Sequence, residues 1–367
     1  MLTRISSNKA SKLGKRLRLK LRKSDEKLKE ILSSRGVPDE KIIDILESGY
    51  TLGMVAGTIS DKMYGNKAFS SCFNIDEFVE YIQGRHRFQE LPAFIEYTAK
   101  NIEDINTVLH DARRQRYMRD GILSFRGQTS QYLYKRKIPN PVRANKSGQE
   151  ISIFPGLFRQ RGEHYTFDSL PEEKRTLANF LHELEPNSPE IYLDSGHAYD
   201  IMRIEQHYAT NTSGLDISFD IETAIFFATY KFKRNAANKA YYEKIKKGDH
   251  KGVIYGFCFR NPLVKSAEFL ISDFDLFQTY KPERVLRQYC GLPLFGPYER
   301  NIAVTDLDFI IRLHEDFDYE GLRTPEFMFP NTQEDKFYGK LLELKDQHPD
   351  LLSNIVEYEG SRVDIPY

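Results

Sequence analysis

Two short apolar runs, both bounded by glycine, restrict the possible folds of this chain more than any other feature. One is Ile122-Leu-Ser-Phe-Arg, which ends at Gly127, and the other begins after Gly252 and continues to Phe259. Short runs rich in β-branched and aromatic residues predict buried strands. Both lie among segments whose apolar residues recur every three or four positions, as in amphipathic helices. The chain is therefore not all-helical, and we expect an α+β fold.

The helical segments occur in runs, and the strands are short and separated. This pattern favours a small, split, mostly antiparallel sheet wrapped by helices and preceded by an N-terminal helical hairpin. We predict helices over residues 74–82, 92–118 and 221–232, the last of them capped by Asp220. Further strands are predicted around residues 269–271, 285–288 and 309–312.

A length of 367 residues suggests more than one domain. We predict four segments: a basic arm (1–23), a helical hairpin with a linker (24–73), a main domain (74–330) and a C-terminal helix with a tail (331–367). Residues 135–165 are rich in Lys, Arg, Pro and Gly and are interpreted as an extended surface loop.

The charge is balanced overall but unevenly distributed. The chain has 53 basic and 53 acidic side chains, and residues 1–23 contain nine of the bases and no acid. Such an arm is suited to nucleic acid or to an anionic membrane surface. The alternative is a solvated lead-in that pairs with the more acidic remainder.

Several classes of protein are excluded or disfavoured. No apolar run approaches 18 residues, so we expect no transmembrane segment. The three cysteines form no CxxC pair, which disfavours a disulfide framework or a cysteine zinc site and favours a cytoplasmic location. The sequence contains no GxSxG, Walker, GxGxxG or HExxH motif, and its nine histidines lack metal-ligand spacing, so we predict no metal site.

Three separated segments carry a different signal. The first is Phe125-Arg-Gly-Gln128, at the end of a predicted strand. The second runs from Gln206-His207 to Asp216-Ile-Ser218, and the third contains Pro282-Glu-Arg-Val285 with Gln288 and Gly291. In this order they resemble the FRG-domain family, which is named for its Phe-Arg-Gly motif.

The middle motif of that family reads Gln-His-x-Gly-x-x-Thr-Arg-Leu-Leu-Asp-x-Thr/Ser. The positions of this chain that match it are Gln206, His207, Thr212, Leu215, Asp216 and Ser218. The positions that differ are Ala209, Asn211, Ser213 and Gly214. In the third motif Gln288 stands three residues before Gly291, where the family usually has two. The resemblance covers residues 74–330.

The residues themselves indicate an anion site. A guanidinium at the end of a strand offers a planar fork for a phosphate or carboxylate, and Gly127 allows a ligand or another chain segment to approach the backbone. Together with Ser218 and Gln288, Arg126 resembles the layout of the ADP-ribosyltransferase fold, whose enzymes split NAD.

By that resemblance NAD is the substrate, and ADP-ribose is transferred to a macromolecular acceptor or the dinucleotide is hydrolysed. Arg126 would hold the phosphates or the adenylyl ribose, Ser218 the nicotinamide ribose, and Gln288 a ribose hydroxyl. The residues assigned to binding are Arg126, Gly127, Gln128, Gln206 and Asp216. His207 is a candidate general base because imidazole titrates near neutral pH. The resemblance also implies a bacterial or phage setting in defence or toxin action.

Alternatives remain open for the same residues. Arg126 is also suited to a structural ion pair with Asp216, and Gln206 and His207 to bracing the core. The transition state of NAD cleavage calls for a carboxylate, which Glu283, Glu299 or Asp216 would supply. The alternative function is a non-catalytic module that binds phosphate, peptide or nucleic acid in the same Arg-lined cleft.

Overall fold

The computed structural model describes residues 23–64, 72–89, 94–114, 122–154, 172–184, 206–209, 215–259, 270–271, 280–293, 301 and 307–362. The predicted basic arm therefore lies outside the described residues, apart from residue 23. The helices are α1 (23–34), α2 (Asp39–Glu47), α3 (Ile75–Ile82), α4 (Ile102–Arg114), α5 (Glu172–Leu184), α6 (Ile221–Thr229), α7 (Glu283–Arg287), α8 (Pro325–Met328) and α9 (Lys336–Gln347).

The strands are β1 (Tyr50–Leu52), β2 (Thr58–Asp61), β3 (Cys72–Asn74), β4 (Ile95–Ala99), β5 (Ile122–Gln128), β6 (Leu133–Lys135), β7 (Gln149–Ile151), β8 (Ile217–Ser218), β9 (Tyr230–Arg234), β10 (Ala240–Lys244), β11 (Val253–Phe259), β12 (Leu270–Ile271), β13 (Cys290–Pro293) and β14 (Leu307–Leu313). A seven-stranded sheet has the order β12-β13-β8-β5-β11-β14-β4, and its β14–β4 pair is parallel while the others are antiparallel. The α+β prediction is confirmed.

The two glycine-bounded runs are the centre of this sheet. They form β5 and β11, which pair antiparallel over seven residues from Ile122↔Phe259 to Gln128↔Val253. Successive side chains of a strand point to opposite faces, so each central strand contributes to two cores. On one face, Phe125 and Ile254 pack with α4 and α6. On the other face, Val253 and Tyr255 pack with residues of β8 and β14.

The N-terminal region is more than a helical hairpin. Helices α1 and α2 form as expected, but the residues predicted as a linker form the three-stranded sheet β1-β2-β3. Helix α3 begins at its Asn74 cap, whose side chain accepts hydrogen bonds from the amides of Asp76 and Glu77. Its Phe78 shares one core with Leu28 of α1. That core is therefore continuous across the boundary predicted at residue 74.

Two predictions of secondary structure are wrong. Residues 92–118 are not one helix, because β4 precedes α4 and adds an edge strand parallel to β14. Residues 285–288 are not a strand, because α7 covers Glu283–Arg287 and Gln288 caps its C-terminus. Helix α6 also ends at Thr229, three residues before the predicted end, and β9 follows it directly.

The described part of residues 135–165 is a loop over residues 136–148, but its ends form strands and one of its arginines is anchored in the interior. It begins at the last residue of β6 and contains β7, and between these strands Arg136 is held by two fully buried carboxylates, Asp61 at 2.7 Å and Glu150 at 2.9 Å. The charge of Arg136 offsets the cost of burying those acids. Because Asp61 belongs to β2, the ion pairs fasten the β6–β7 pair to the N-terminal sheet.

The C-terminal segment is part of the main body. Phe337 and Leu341 of α9 pack with Leu177 of α5 and with Val285 of α7. In the described part of the chain, no helix is both long and apolar enough to span a membrane.

Candidate functional site

Arg126 lies in the middle of β5, between β8 and β11. Its Nη1 donates to the carboxylate of Asp216 at 2.5 Å and to the backbone carbonyl of the same residue at 2.7 Å. The two side chains are 17% and 18% exposed, so the pair is neither sealed in the core nor fully in water. The ion pair that the sequence left open is therefore present, and solvent still reaches it.

Asp216 joins the first and second motifs. Its Oδ1 accepts from Arg126 and also from the side-chain amide of Gln206, at 2.8 Å. Hydrogen bonds to an ionised group are short and strong, so these two donors fix the carboxylate just before β8. Glu299, another candidate for the negative charge, lies outside the described residues. Glu283, in the first turn of α7, lies 3.7 Å from Arg287.

A pocket of about 220 Å³ opens beside this ion pair. All three motifs contribute to its lining, through Arg126, Gly127, Gln206, Asp216, Ser218 and Gln288. Phe227 of α6 and Tyr242 of β10 add an aromatic wall. Burial raises the pKa of the Tyr242 phenol well above its ordinary value, so the phenol stays neutral at physiological pH. The pocket thus combines one cation, one anion, amide groups and aromatic surface.

Gly127 is required for packing rather than for freedom of the backbone. A Cβ atom at this position would lie 1.8 Å from the carbonyl oxygen of Ala224 and 3.0 Å from the amide nitrogen of Ala228. Any side chain here would push α6 away from β5. The neighbour that approaches this glycine is therefore a helix of the same chain, and Phe227 on that helix lines the pocket.

Ser218 braces the third motif. Its hydroxyl donates to the carbonyl of Gln288 at 2.8 Å and accepts from the amide of Asp220 at 3.0 Å. Ser218 pairs with Phe125 in the sheet, so it shares the face of Phe125, and Arg126 points to the opposite face. The Ser218 hydroxyl therefore supports the turn at residues 288–290.

Gln288 and His207 are buried against each other. Gln288 is 2% exposed; its Nε2 donates to the carbonyl of Met328 at 3.1 Å, and its Oε1 lies 2.9 Å from Nδ1 of His207. Because an amide oxygen only accepts, Nδ1 of His207 carries the proton. Gln288 reaches the pocket lining, but both polar ends of its side chain are used within the protein. His207 and Gln128 are buried and are not among the lining residues.

The backbone after Gln288 is unusual. Tyr289 has a φ of 47°, in the left-handed region that residues with a side chain seldom adopt. This turn aims the carbonyl of Tyr289 at the amide of Phe219, at a distance of 3.0 Å. The third motif is thereby held against β8 by backbone as well as by Ser218.

Sequence reasoning missed three features of the site and its support. Phe227 lies in the helix predicted over residues 221–232 and was assigned no role in the site, and Tyr242, in the middle of β10, belongs to no motif. Arg284, inside the third motif, was given no role, yet it is fully buried among the rings of Tyr208, Tyr338, Tyr358 and Phe329, with centroid distances of 4.4–5.2 Å. The aromatic residues near positions 208 and 242 were the only sequence signal for the rings around Arg284 and for the aromatic wall of the pocket.

Comparison of the chain with protein-family models, with curated proteins and with solved structures finds no match.

Proposed function

We propose that the pocket beside Arg126 binds NAD and that the protein transfers ADP-ribose to an acceptor or hydrolyses the dinucleotide. The main support is the convergence of the three motifs: Arg126, Asp216 and Gln288 are separated by 162 positions of sequence from first to last and line one pocket. The resemblance to the FRG-domain family and to the ADP-ribosyltransferase layout supplies the substrate class. A setting in toxin action or phage defence belongs to the same resemblance.

Arg126 is suited to hold the pyrophosphate. A guanidinium has five N–H donors, and the contacts of Arg126 to Asp216 use Nη1. Among the described residues, its Nε has no hydrogen-bond partner. That Nε atom is buried, so an anion in the pocket would meet the exposed part of the guanidinium first and would satisfy Nε only if the pocket lining moves on binding.

Asp216 takes the charge-stabilising role that the sequence left open. Cleavage breaks the bond between ribose C1′ and the nicotinamide nitrogen, and the bonding electron pair leaves with nicotinamide. The ribose ring then carries positive charge until water or an acceptor attacks C1′ and loses a proton. A fixed carboxylate nearby stabilises that charge. Phe227 and Tyr242 offer ring faces for nicotinamide and exclude water.

The roles of the remaining motif residues change accordingly. Ser218 and Gln288 position the β8 and α7 segments, and His207 supports Gln288 from behind the pocket. Each would affect the reaction through the shape of the pocket rather than by contact with NAD.

Titration calorimetry with NAD, followed by measurement of nicotinamide release, tests this proposal. We expect the wild type to bind NAD at submillimolar concentration and Arg126→Met to bind at least about tenfold more weakly, because the bidentate donor is lost. Arg312→Met is the matched control: Arg312 is also a sheet arginine paired with a carboxylate, Glu96, but it does not line the pocket. Absence of binding at millimolar NAD would contradict the proposal.

The second candidate, a non-catalytic binding module, has its own supporting observation. The side-chain amide of Gln288 is hydrogen-bonded within the protein at both ends. Asp216, the lining residue with a carboxylate, already accepts hydrogen bonds from Arg126 and Gln206. A module of this kind would bind NAD or another phosphate ligand without releasing nicotinamide. Gln288→Glu would then create no turnover, whereas an enzyme short of a carboxylate would gain activity.

A further inference from the structure

The β9–β10 pair and the turn after it concentrate positive charge. Residues 230–251, here called the basic ribbon, contain eight Lys or Arg and two Asp or Glu. Outside the basic ribbon and residues 1–23, the chain has 36 bases and 51 acids. A body with that excess of acid repels a polyanion, so the basic ribbon is the described part of the chain best suited to attract one.

Most cations of the basic ribbon are exposed and have no ion-pair partner. In the described chain, three have a carboxylate within 4 Å: Lys233, Lys239 and Lys244. The five without one among the described residues are Lys231, Arg234, Lys246, Lys247 and Lys251, and all five are exposed. Their charges are therefore available to an external ligand.

The strand register separates an inner from an outer face. Phe232 pairs with Tyr242, and these rings pack toward Tyr358. Lys233 pairs with Tyr241 and therefore points the other way. Lys231 lies two residues from Lys233 and shares its face. The outer face thus places the half-buried ring of Tyr241 beside Lys231 and Lys233, and it also carries Glu243, which forms an ion pair with Lys233.

We propose that the outer face of the basic ribbon, together with the exposed lysines that follow β10, binds single-stranded nucleic acid. Lysines neutralise successive phosphates, and the ring of Tyr241 stacks on a base, which is the combination that single-strand binding surfaces use. An anionic membrane fits less well, because the large exposed apolar side chain of the basic ribbon, Phe232, lies on the inner face. The proposal does not depend on NAD binding, although Tyr242 of the same ribbon lines the pocket.

Fluorescence anisotropy with a labelled single strand of about 12 nucleotides tests the lysines. The full chain is compared with K231Q/K246Q/K247Q and with the control K41Q/K135Q/K146Q, which removes the same charge from exposed lysines of α2 and of the β6–β7 segment. We expect binding to weaken at least about tenfold in the first variant and less than about threefold in the control. Because the ribbon variant can no longer neutralise three phosphates, its slope of log affinity against log salt should be shallower by about 2.

Tyr241→Ala tests the stacking role, with Tyr241→Phe as its matched control. We expect about tenfold weaker binding for alanine and no change for phenylalanine, because stacking needs the ring and not the hydroxyl.

Three results would overturn the proposal. One is unchanged affinity in the ribbon variant, which would mean that another part of the chain, such as residues 1–23, binds the oligonucleotide. Another is an equal loss in the lysine control, which would mean that net charge alone acts. The third is a ribbon-dependent association with phosphatidylserine vesicles but not with the oligonucleotide.

Discussion

Arg126 and Arg284 belong to two of the three motifs, yet the fold uses them in opposite ways. Arg126 is 17% exposed, faces one carboxylate and lines a pocket. Arg284 is 0% exposed, and its Nη1 donates to the carbonyl of His207 at 2.9 Å. Four aromatic rings surround Arg284, the nearest being those of Tyr208 and Tyr338 at 4.4 Å.

The comparison shows that solvent access, and not membership of a motif, decides whether each arginine serves folding or ligand binding. A cation inside a cage of rings is stabilised by their negative faces and contributes to folding. A cation at the wall of a pocket can be reached by a ligand, whereas the Nε and Nη2 donors of Arg284, which have no hydrogen-bond partner among the described residues, are sealed from solvent. We therefore expect variants of Arg284 to act on stability and variants of Arg126 to act on binding.

The largest expected effect is that of Arg284→Ala. Truncation removes the cation–π contacts and leaves a cavity among the rings, so we expect the free energy of unfolding to fall by about 3–5 kcal/mol. Arg284→Met fills most of that space and removes the cost of burying a charge, so its loss should be about 1–2 kcal/mol. Denaturant unfolding of both variants measures this. An alanine variant within about 1 kcal/mol of the wild type would contradict the scaffold role.

Asp216→Asn should have an intermediate effect. It leaves the half-buried charge of Arg126 without its counter-ion, and we expect a loss of about 1–2 kcal/mol in the free energy of unfolding. Glu96→Gln is the control, since it removes the partner of the more exposed Arg312 and should change stability by less than about 0.5 kcal/mol. Equal effects of the two substitutions would show that the pocket ion pair behaves as a surface pair.

Alkaline pH should weaken the cage around Arg284. Burial raises the pKa of Tyr358 to about 12, so the folded chain keeps a proton that the unfolded chain releases above about pH 10. The stabilisation is complete below about pH 10 and is lost as the pH rises toward the folded pKa, with a decline of about 1 kcal/mol by about pH 11. Unfolding titrations of the wild type and Tyr358→Phe measure it. If the free energy of unfolding of Tyr358→Phe falls with pH as steeply as that of the wild type, the contribution of Tyr358 is ruled out.

Of the two motif arginines, Arg126 is expected to give the smaller change in stability when it is replaced by methionine. The methionine packs against the pocket wall, and Gln206 still donates to Asp216, so the free energy of unfolding should change by less than about 1 kcal/mol. Thermal unfolding measures the difference. A loss comparable to that of Arg284→Ala would place Arg126 with the scaffold and remove the contrast.

Much of the fold could be predicted because local pattern and burial agree there. The β11 run is apolar along its length and β5 begins with an apolar stretch, as central strands do, and Asn74 and Asp220 cap helices as expected. The prediction failed at β4, because Ile95 and its neighbours are half-exposed at the edge of the sheet and their spacing suits a helix. It failed at α7 because Val285 and Leu286, considered without their neighbours, suggest a strand, whereas in the structure both residues lie in a helix.

The site was partly predictable for a similar reason. The resemblance assigned Arg126, Gln206 and Asp216 to binding, and in the structure all three are in contact. The partners that close Gln288 off could not be predicted, because Met328 lies 40 residues away and belongs to no motif. Tyr242 reaches the pocket by way of β9 and β10, a path that no spacing in the sequence specifies.

The most direct test of the central claim is the NAD affinity of Arg126→Met and Arg284→Met, measured side by side by calorimetry. The contrast predicts at least about tenfold weaker binding for Arg126→Met and a change of less than about threefold for Arg284→Met, at temperatures where both are folded. Equal affinity in the two variants, or weaker binding only in Arg284→Met, would contradict the assignment of the pocket arginine to the ligand.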